Sequence, residues 1–209
     1  FSPDGSEVAV LTWSGPLGSM RERGRIDLRS AGDGRVLRSI PLDEYIMVVA
    51  LAWGDRGLVT VGTRGASQKT LEYEVAIVDP NSGTWRSTGF RPKGWPMSLV
   101  RPMKDRSIFL STMAYETVSE HRSVPRGYRL RPIDVVAASV GPPMADASGV
   151  PLTFAGWGGS LSPSGRFARI AGDDGDEWRI VDLSAAPDRP AVVSPQALQW
   201  ISGDRFVWL

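Results

Sequence analysis

Apolar residues in this chain come in short runs bounded by Gly, Pro, Asp or Ser. Val8-Ala9-Val10-Leu11 and Val48-Val49-Ala50-Leu51-Ala52 are apolar on consecutive positions rather than alternate ones. That pattern predicts strands whose two faces are both covered. No segment combines a helical period with end caps, and 16 prolines and 23 glycines are spaced so that any long helix would be broken. The predicted elements are therefore strands throughout. In one stretch they run Ile46–Trp53, Gly57–Thr63, Glu72–Val78 and Thr84–Phe90. In the next they run Met97–Val100, Ser107–Met113, Tyr128–Val135 and Ala137–Val140. A further stretch gives Phe154–Leu161, Arg166–Ala171, Glu177–Leu183 and Ala191–Val193.

The strands are written as a repeat. Asp27, Asp79, Asp134 and Asp182 each close an apolar strand, at separations of 52, 55 and 48 residues. A second marker keeps phase with the first. Phe1-Ser2-Pro3-Asp4-Gly5, Trp53-Gly54-Asp55-Arg56-Gly57 and Leu161-Ser162-Pro163-Ser164-Gly165 are tight-turn sequences, with Arg101–Asp105 a weaker copy and Trp200–Asp204 a fifth. Pro presets φ at the second turn position, Asp or Ser bonds its own backbone, and Gly accepts positive φ. Two markers in phase at a period near fifty residues predict an all-β protein, a β-propeller of four-stranded blades. The expected units are 1–43, 44–92, 93–148, 149–196 and 197–209. Three strands, three full blades and two strands follow in that order. The expectation is a piece of a longer propeller, of about six to eight blades on the usual range.

Composition narrows the chemistry. With 24 basic and 23 acidic residues the net charge is +1, which argues against a nucleic-acid partner. The chain has no cysteine, so disulfides, thiolate metal sites and thiol catalysis are excluded. The longest apolar run, Ile46 to Trp53, is far too short to span a membrane.

The Phe-Ser-Pro-Asp-Gly opening and Leu161–Gly165, each leading into a strand and then an aspartate-closed strand, resemble WD-repeat-like blades of the TolB-type bacterial propellers. The chain lacks the Gly-His pair and the Trp-Asp dipeptide of eukaryotic WD repeats. The hydrogen-bond set built on those residues is therefore not available to it. The resemblance implies a rigid scaffold that presents loops to protein or peptide partners, with no catalytic residue carried over.

Strand alternation predicts which face would work. Turns within strand pairs one–two and three–four are short and Gly/Pro-rich and emerge on one face. The longer segments Ser14–Gly24, Arg64–Leu71, Ala114–Gly127 and Gly141–Thr153 emerge on the other. Long loops on a rigid scaffold are where binding usually resides. Two stretches stand out as partner-binding candidates. Arg91, Lys93 and Trp95 lie in a connector that joins cation, aromatic and proline, the residue types of interface anchors; packing of Trp95 on the blade beneath is the plainer alternative. Tyr115, His121 and Arg122 lie in the second, which is otherwise a solvated excursion.

Catalytic and cofactor readings find little support. His121 is the sole histidine, and no Gly-x-Ser-x-Gly nucleophile elbow occurs. Asp173-Asp174-Gly175-Asp176-Glu177 lacks calcium-loop spacing and reads as an acidic hairpin. No phosphate-cradling glycine loop is present, so no cofactor is implied. The expected function is a non-catalytic interaction module. The alternative is a propeller that gates or accompanies a hydrolase or kinase domain outside this segment.

Overall fold

In a computed structural model, the described residues are 1–14, 23–42, 45–64, 72–92, 97–100, 107–120, 122–146, 148–154, 161–171, 178–183, 192–194, 198–200 and 204–208. All of their regular structure is antiparallel β. The strands are β1 (Glu7–Ser14), β2 (Arg23–Ser30), β3 (Val36–Pro41), β4 (Tyr45–Gly54), β5 (Gly57–Arg64), β6 (Glu72–Val78), β7 (Trp85–Ser87), β8 (Met97–Val100), β9 (Ile108–Ser119), β10 (Arg122–Asp134), β11 (Ser139–Val140), β12 (Phe167–Ala171), β13 (Trp178–Asp182), β14 (Val192–Ser194), β15 (Leu198–Trp200) and β16 (Phe206–Trp208). They form sheets in plain up-and-down order: β1-β2-β3, β4-β5-β6-β7, β8-β9-β10-β11, β12-β13-β14 and β15-β16. Four sequential antiparallel strands to a sheet is the layout of a propeller blade.

The residues divide into two compact units, Phe1–Lys93 with Ile133–Val140, and Gly94–Pro132 with Gly141–Leu209. In the first, the β1–β3 sheet packs one face on the β4–β7 sheet. Ile26, Leu28, Ile40 and Leu42 meet Val48, Trp53, Leu58 and Val78 there. Each such side chain contributes roughly 1.5–3 kcal/mol of burial. β5 is covered on both sides, with Leu58, Val59, Thr60, Val61 and Thr63 all fully buried. In the second unit, Val100, Leu130, Phe154, Leu161 and Ala168 form the core. Phe154 bridges both Tyr128 of β10 and Ile170 of β12. The strand expected over 154–161 thus has its two ends in place beside β12; residues 155–160 lie outside the described ones.

The repeat has a physical basis in turn chemistry. Asp79 opens the turn between β6 and β7. Its Oδ1 accepts the Asn81 N–H (2.7 Å), and its own N–H reaches the Thr84 carbonyl (2.9 Å). Asp134 does the same before β11, accepting N–H groups of Val136 and Ala137 at 2.9 Å. The equivalent residue between β2 and β3 is Ser30, not Asp27. Ser30 N–H reaches the Arg35 carbonyl (3.0 Å), and the Ser30 carbonyl accepts from Gly34 (2.9 Å), as Asp79 accepts from Gly83. Asp27 lies three residues earlier in mid-strand, so its in-phase spacing was a near miss. A hydroxyl replaces the carboxylate in an otherwise identical turn.

The second marker repeats more closely. Ser2 N–H donates to the Glu7 carbonyl and Ser162 N–H to the Phe167 carbonyl, both at 2.8 Å. The two serine hydroxyls accept the Glu7 and Phe167 N–H groups (2.9 and 3.1 Å). Gly5 and Gly165 take φ of 75° and 77°, the left-handed region that only glycine enters cheaply.

A further repeated contact ties neighbouring sheets of the first unit. Arg38 on β3 donates from Nη1 to the Pro80 carbonyl (2.6 Å) and to that of Asn81. Arg86 on β7 donates to the carbonyls of Val136 (3.0 Å) and Val135 (2.9 Å). Arg38 pairs with Leu28 and Arg86 with Ile77, each two residues before the turn residue. Their acceptors are the two residues that follow the next turn residue. The same clasp is therefore made twice.

Candidate functional site

The segment expected as the loop Ala114–Gly127 is instead a β-ribbon. β9 continues to Ser119 and β10 begins at Arg122, so the two strands run well past β8, which pairs only Phe109 to Thr112. Thr117 and Ser123 hydroxyls face each other across it at 3.4 Å. Sequence reasoning missed the ribbon because Pro125 argues against strand. Proline is tolerated where its missing N–H is not needed by a neighbour. The available signal was the β-forming Tyr115, Thr117 and Val118 opposite Ser123 and Val124.

The ribbon is anchored at its root. Tyr128 and Phe154 exchange both backbone hydrogen bonds, at 2.8 and 2.7 Å. Arg129 reaches the Pro151 carbonyl (3.0 Å) and Arg131 that of Gly141 (3.2 Å). Gly127 adopts φ of 146°, and a Cβ there would stand 2.6 Å from the Phe154 oxygen. Tyr128 is buried, and that burial, with the Tyr115 phenol adding to it, pushes its hydroxyl above the ordinary tyrosine range. Beyond the root the side chains are in solvent: Tyr115 and Val118 are each 49% exposed, and Thr117, Ser119, Glu120 and Pro125 are exposed as well.

The other candidates fare differently. Arg91 is exposed and pairs with Glu72, itself exposed; such a surface pair contributes little. Lys93, Trp95 and His121 lie outside the described residues, as does the acidic stretch 173–177. Arg122 begins β10. Of the other long segments, 15–22 and 65–71 are outside the described residues. The described residues of 141–153 form no strand beyond the bridge between Ala145 and Pro151, but they are tied down: Gly141 and Met144 bond back to Pro132 and Leu130 at 2.8 Å, and Asp146 caps a turn closed by Val150. The structure thus brings Tyr115 and Arg122 onto one ribbon.

A polar cluster not foreseen from the sequence lies on the β1–β3 sheet, on the face opposite the apolar one. Asp27 is fully buried. Its carboxylate accepts from Ser39 (2.6 Å), Arg25 Nε (2.8 Å), Thr12 (3.0 Å) and Arg29 (3.3 Å). Burial alone would raise its pKa, but the hydrogen bonds from Ser39, Thr12 and Arg25 outweigh it and hold the group below the usual carboxylate range. The register explains the cluster: Asp27 stands opposite Val10 on β1 and Ser39 on β3, and Thr12 stands opposite Arg25. With four donors on it, the Asp27 carboxylate is held in a structural cage rather than a reactive site. Among the described residues no group of three His, Cys, Asp or Glu side chains is placed to hold a metal ion. Nor is any helix among the described residues long and apolar enough to cross a membrane.

No known family model matches the chain, and no curated protein matches its sequence. Among solved structures it is similar to the β-propeller domain of Cps50 (Swd1) from Myceliophteria thermophila, at 16% identity and a TM-score of 0.40, over 93% of this chain and 68% of that one. At that level the chain's own sheets carry the assignment: successive antiparallel up-and-down sheets, four strands where complete, with no helix among the described residues. The chain is all-β, of the β-propeller class built from four-stranded blades.

Proposed function

We propose that this chain is a non-catalytic propeller scaffold for a protein or peptide partner, and that the β9–β10 ribbon is its main contact element. The observation that carries the reading is the ribbon itself: a two-stranded arm anchored at Gly127 and Tyr128 that leaves Tyr115 and Val118 half in solvent. A folded protein exposes such residues on a projecting, pre-ordered element at a cost in solubility. A partner that covers them recovers that burial and has little ordering entropy to overcome. Arg91, Lys93, Trp95, His121 and Arg122 join Tyr115 in the proposed contact set, with cations and aromatics as the anchors. The turn sequences support a TolB-type bacterial propeller as the parent architecture, with units near 1–43, 44–92, 93–148, 149–196 and 197–209 and further blades beyond them. The mixed charge makes nucleic acid an unfavourable partner.

The test is site-specific photo-crosslinking. A benzophenone side chain placed at Val118 is expected to give one dominant adduct in the source cell. The same group placed at Asn81, on a short turn, is expected to give none. The double variant Tyr115→Ser, Val118→Ser should lose that adduct from a probe at Ser119 while its Tm stays within about 2 °C of the parent, since both side chains are exposed. Equal crosslinking from both positions would refute the reading.

A further inference from the structure

β10 carries four arginines, Arg122, Arg126, Arg129 and Arg131, against one acid, Asp134. That acid is taken up by its own turn, where Oδ1 accepts the Val136 and Ala137 N–H groups. The segment that bonds back along one edge of β10, residues 141–154, adds a single further acid, Asp146. Its Oδ1 is likewise filled, by the N–H and hydroxyl of Ser148 and the N–H of Val150.

Arg129 is the group left without an acid. It stands at the ribbon root beside Tyr128 and is half-buried. One of the guanidinium's five N–H donors, on Nη1, goes to the Pro151 carbonyl, and no carboxylate among the described residues pairs with it. Leu130 is buried in the core, so alternation sets Arg129 and Arg131 together on the other face, about 7 Å apart along the strand. Burial, and then the like charge of Arg131, hold the Arg129 guanidinium below the usual arginine range. A cation so placed is disfavoured both by desolvation and by repulsion. An oxyanion docked on it would offset both, and a carboxylate matches the guanidinium fork with two parallel bonds.

We infer that Arg129 anchors an acidic side chain of the protein partner, an Asp or Glu whose carboxylate docks on the guanidinium at the root of the ribbon. A free anion would satisfy the charge and nothing else. The ribbon that leads away from Arg129 holds Tyr115 and Val118 half in solvent. Covering them takes apolar residues on the same molecule as the acid. A partner segment that mixes acidic with apolar residues meets both needs, and the arginine-rich composition of β10 suits its charge. The inference rests on the scaffold reading and supplies the chemistry of the partner.

The probe is a fluorescein-labelled octapeptide of alternating Glu and Val, and its neutral twin has Gln in place of Glu. Both are titrated onto the 209-residue chain by fluorescence anisotropy. The acidic peptide is expected to bind about tenfold or more tighter than the neutral one. Arg129→Met should cut that margin by about fivefold or more. Arg35→Met, which removes an exposed arginine beside another sheet, should change it by less than about twofold. Arg129→Met loses the Pro151 bond together with an uncompensated cation, so its Tm should stay within about 3 °C of the parent. Should the variant not fold, the Arg129 Nε–H signal of the parent gives the same test by NMR: it moves with the acidic peptide and not with the neutral one. Equal affinity for the two peptides, or a margin that Arg129→Met leaves unchanged, would overturn the inference. So would inorganic phosphate that moves the Arg129 signal as far as the acidic peptide does at the same concentration, since the occupant would then be a free anion. A Val118 adduct that survives Arg129→Met sinks this inference and spares the scaffold reading. An Arg129-dependent margin with no Val118 adduct in the parent does the reverse.

Discussion

Replacing Asp27 tests the buried cluster directly, because its four hydrogen bonds converge on one carboxylate with no exposed surface. Removing one member of a fully buried ion pair costs about 3–5 kcal/mol. Here the two cations are 48% and 37% exposed and can rehydrate in part. Against that, Arg29 Nε is buried without an acceptor among the described residues, so loss of Asp27 leaves its guanidinium still less satisfied. The expected cost of Asp27→Ala is therefore about 2–3 kcal/mol, the lower part of that range or just below it. For a chain of this size, 1 kcal/mol moves Tm by about 2–4 °C, which places the loss at about 4–12 °C by calorimetry. Asp27→Asn keeps one acceptor oxygen and the shape, and should lose about half as much.

The pH dependence gives an independent check. Because the folded-state pKa of Asp27 is depressed, its contribution is present above the unfolded value of about 3.9 and is lost as pH falls through the folded value. The stability gap between parent and Asp27→Asn should thus be constant near pH 6 and close progressively below about pH 4. A gap that does not change down to pH 2, or a Tm loss for Asp27→Ala below about 1 °C, would refute the reasoning.

Three further outcomes are expected. Arg86→Ala removes two charge-assisted bonds to Val135 and Val136 and should cost about 1 kcal/mol, with faster exchange confined to the 133–140 hairpin; Arg86→Lys should recover part of it at most, because an ammonium lacks the planar fork. Gly127→Ala drives a Cβ into the Phe154 carbonyl at the ribbon root and should cost about 2 kcal/mol or more by denaturant unfolding, against about 1 kcal/mol for Gly34→Ala, which meets no atom but must hold a φ of 71°. The Asp4 carboxyl, held at about 2 first by the Ser2 hydroxyl and then by the Ser6 N–H and hydroxyl, should titrate part of the way back toward its ordinary value in Ser2→Ala by NMR, the Ser6 bonds remaining; an unchanged midpoint would mean the Ser2 bond contributes nothing.

Local chemistry, repeated, was enough for the sequence to declare the class of fold. Ser-Pro-x-Gly turns with glycine at positive φ and aspartates that cap the next turn act within a few residues, so their spacing shows the repeat without reference to any distant contact. Consecutive apolar positions pointed to Val8–Leu11 and Val48–Ala52 as covered on both faces, yet of these only Val48 is buried and the rest are half-buried; the unbroken buried runs lie in β5 and β6. The same local logic misled where a different residue supplied the same group, as Ser30 does in place of an aspartate, and at 114–127, where polar residues and Pro125 hide the continuation of β9 and β10.

What only the tertiary structure decided were the features that depend on register across strands. Asp27 is one apolar-flanked aspartate among four until pairing sets Thr12, Arg25 and Ser39 around it. Arg38 and Arg86 look like surface arginines until the next sheet brings two carbonyls to each. Each depends on residues tens of positions apart meeting at hydrogen-bond distance. A linear pattern records which side chains favour a strand, but not which partner stands beside it.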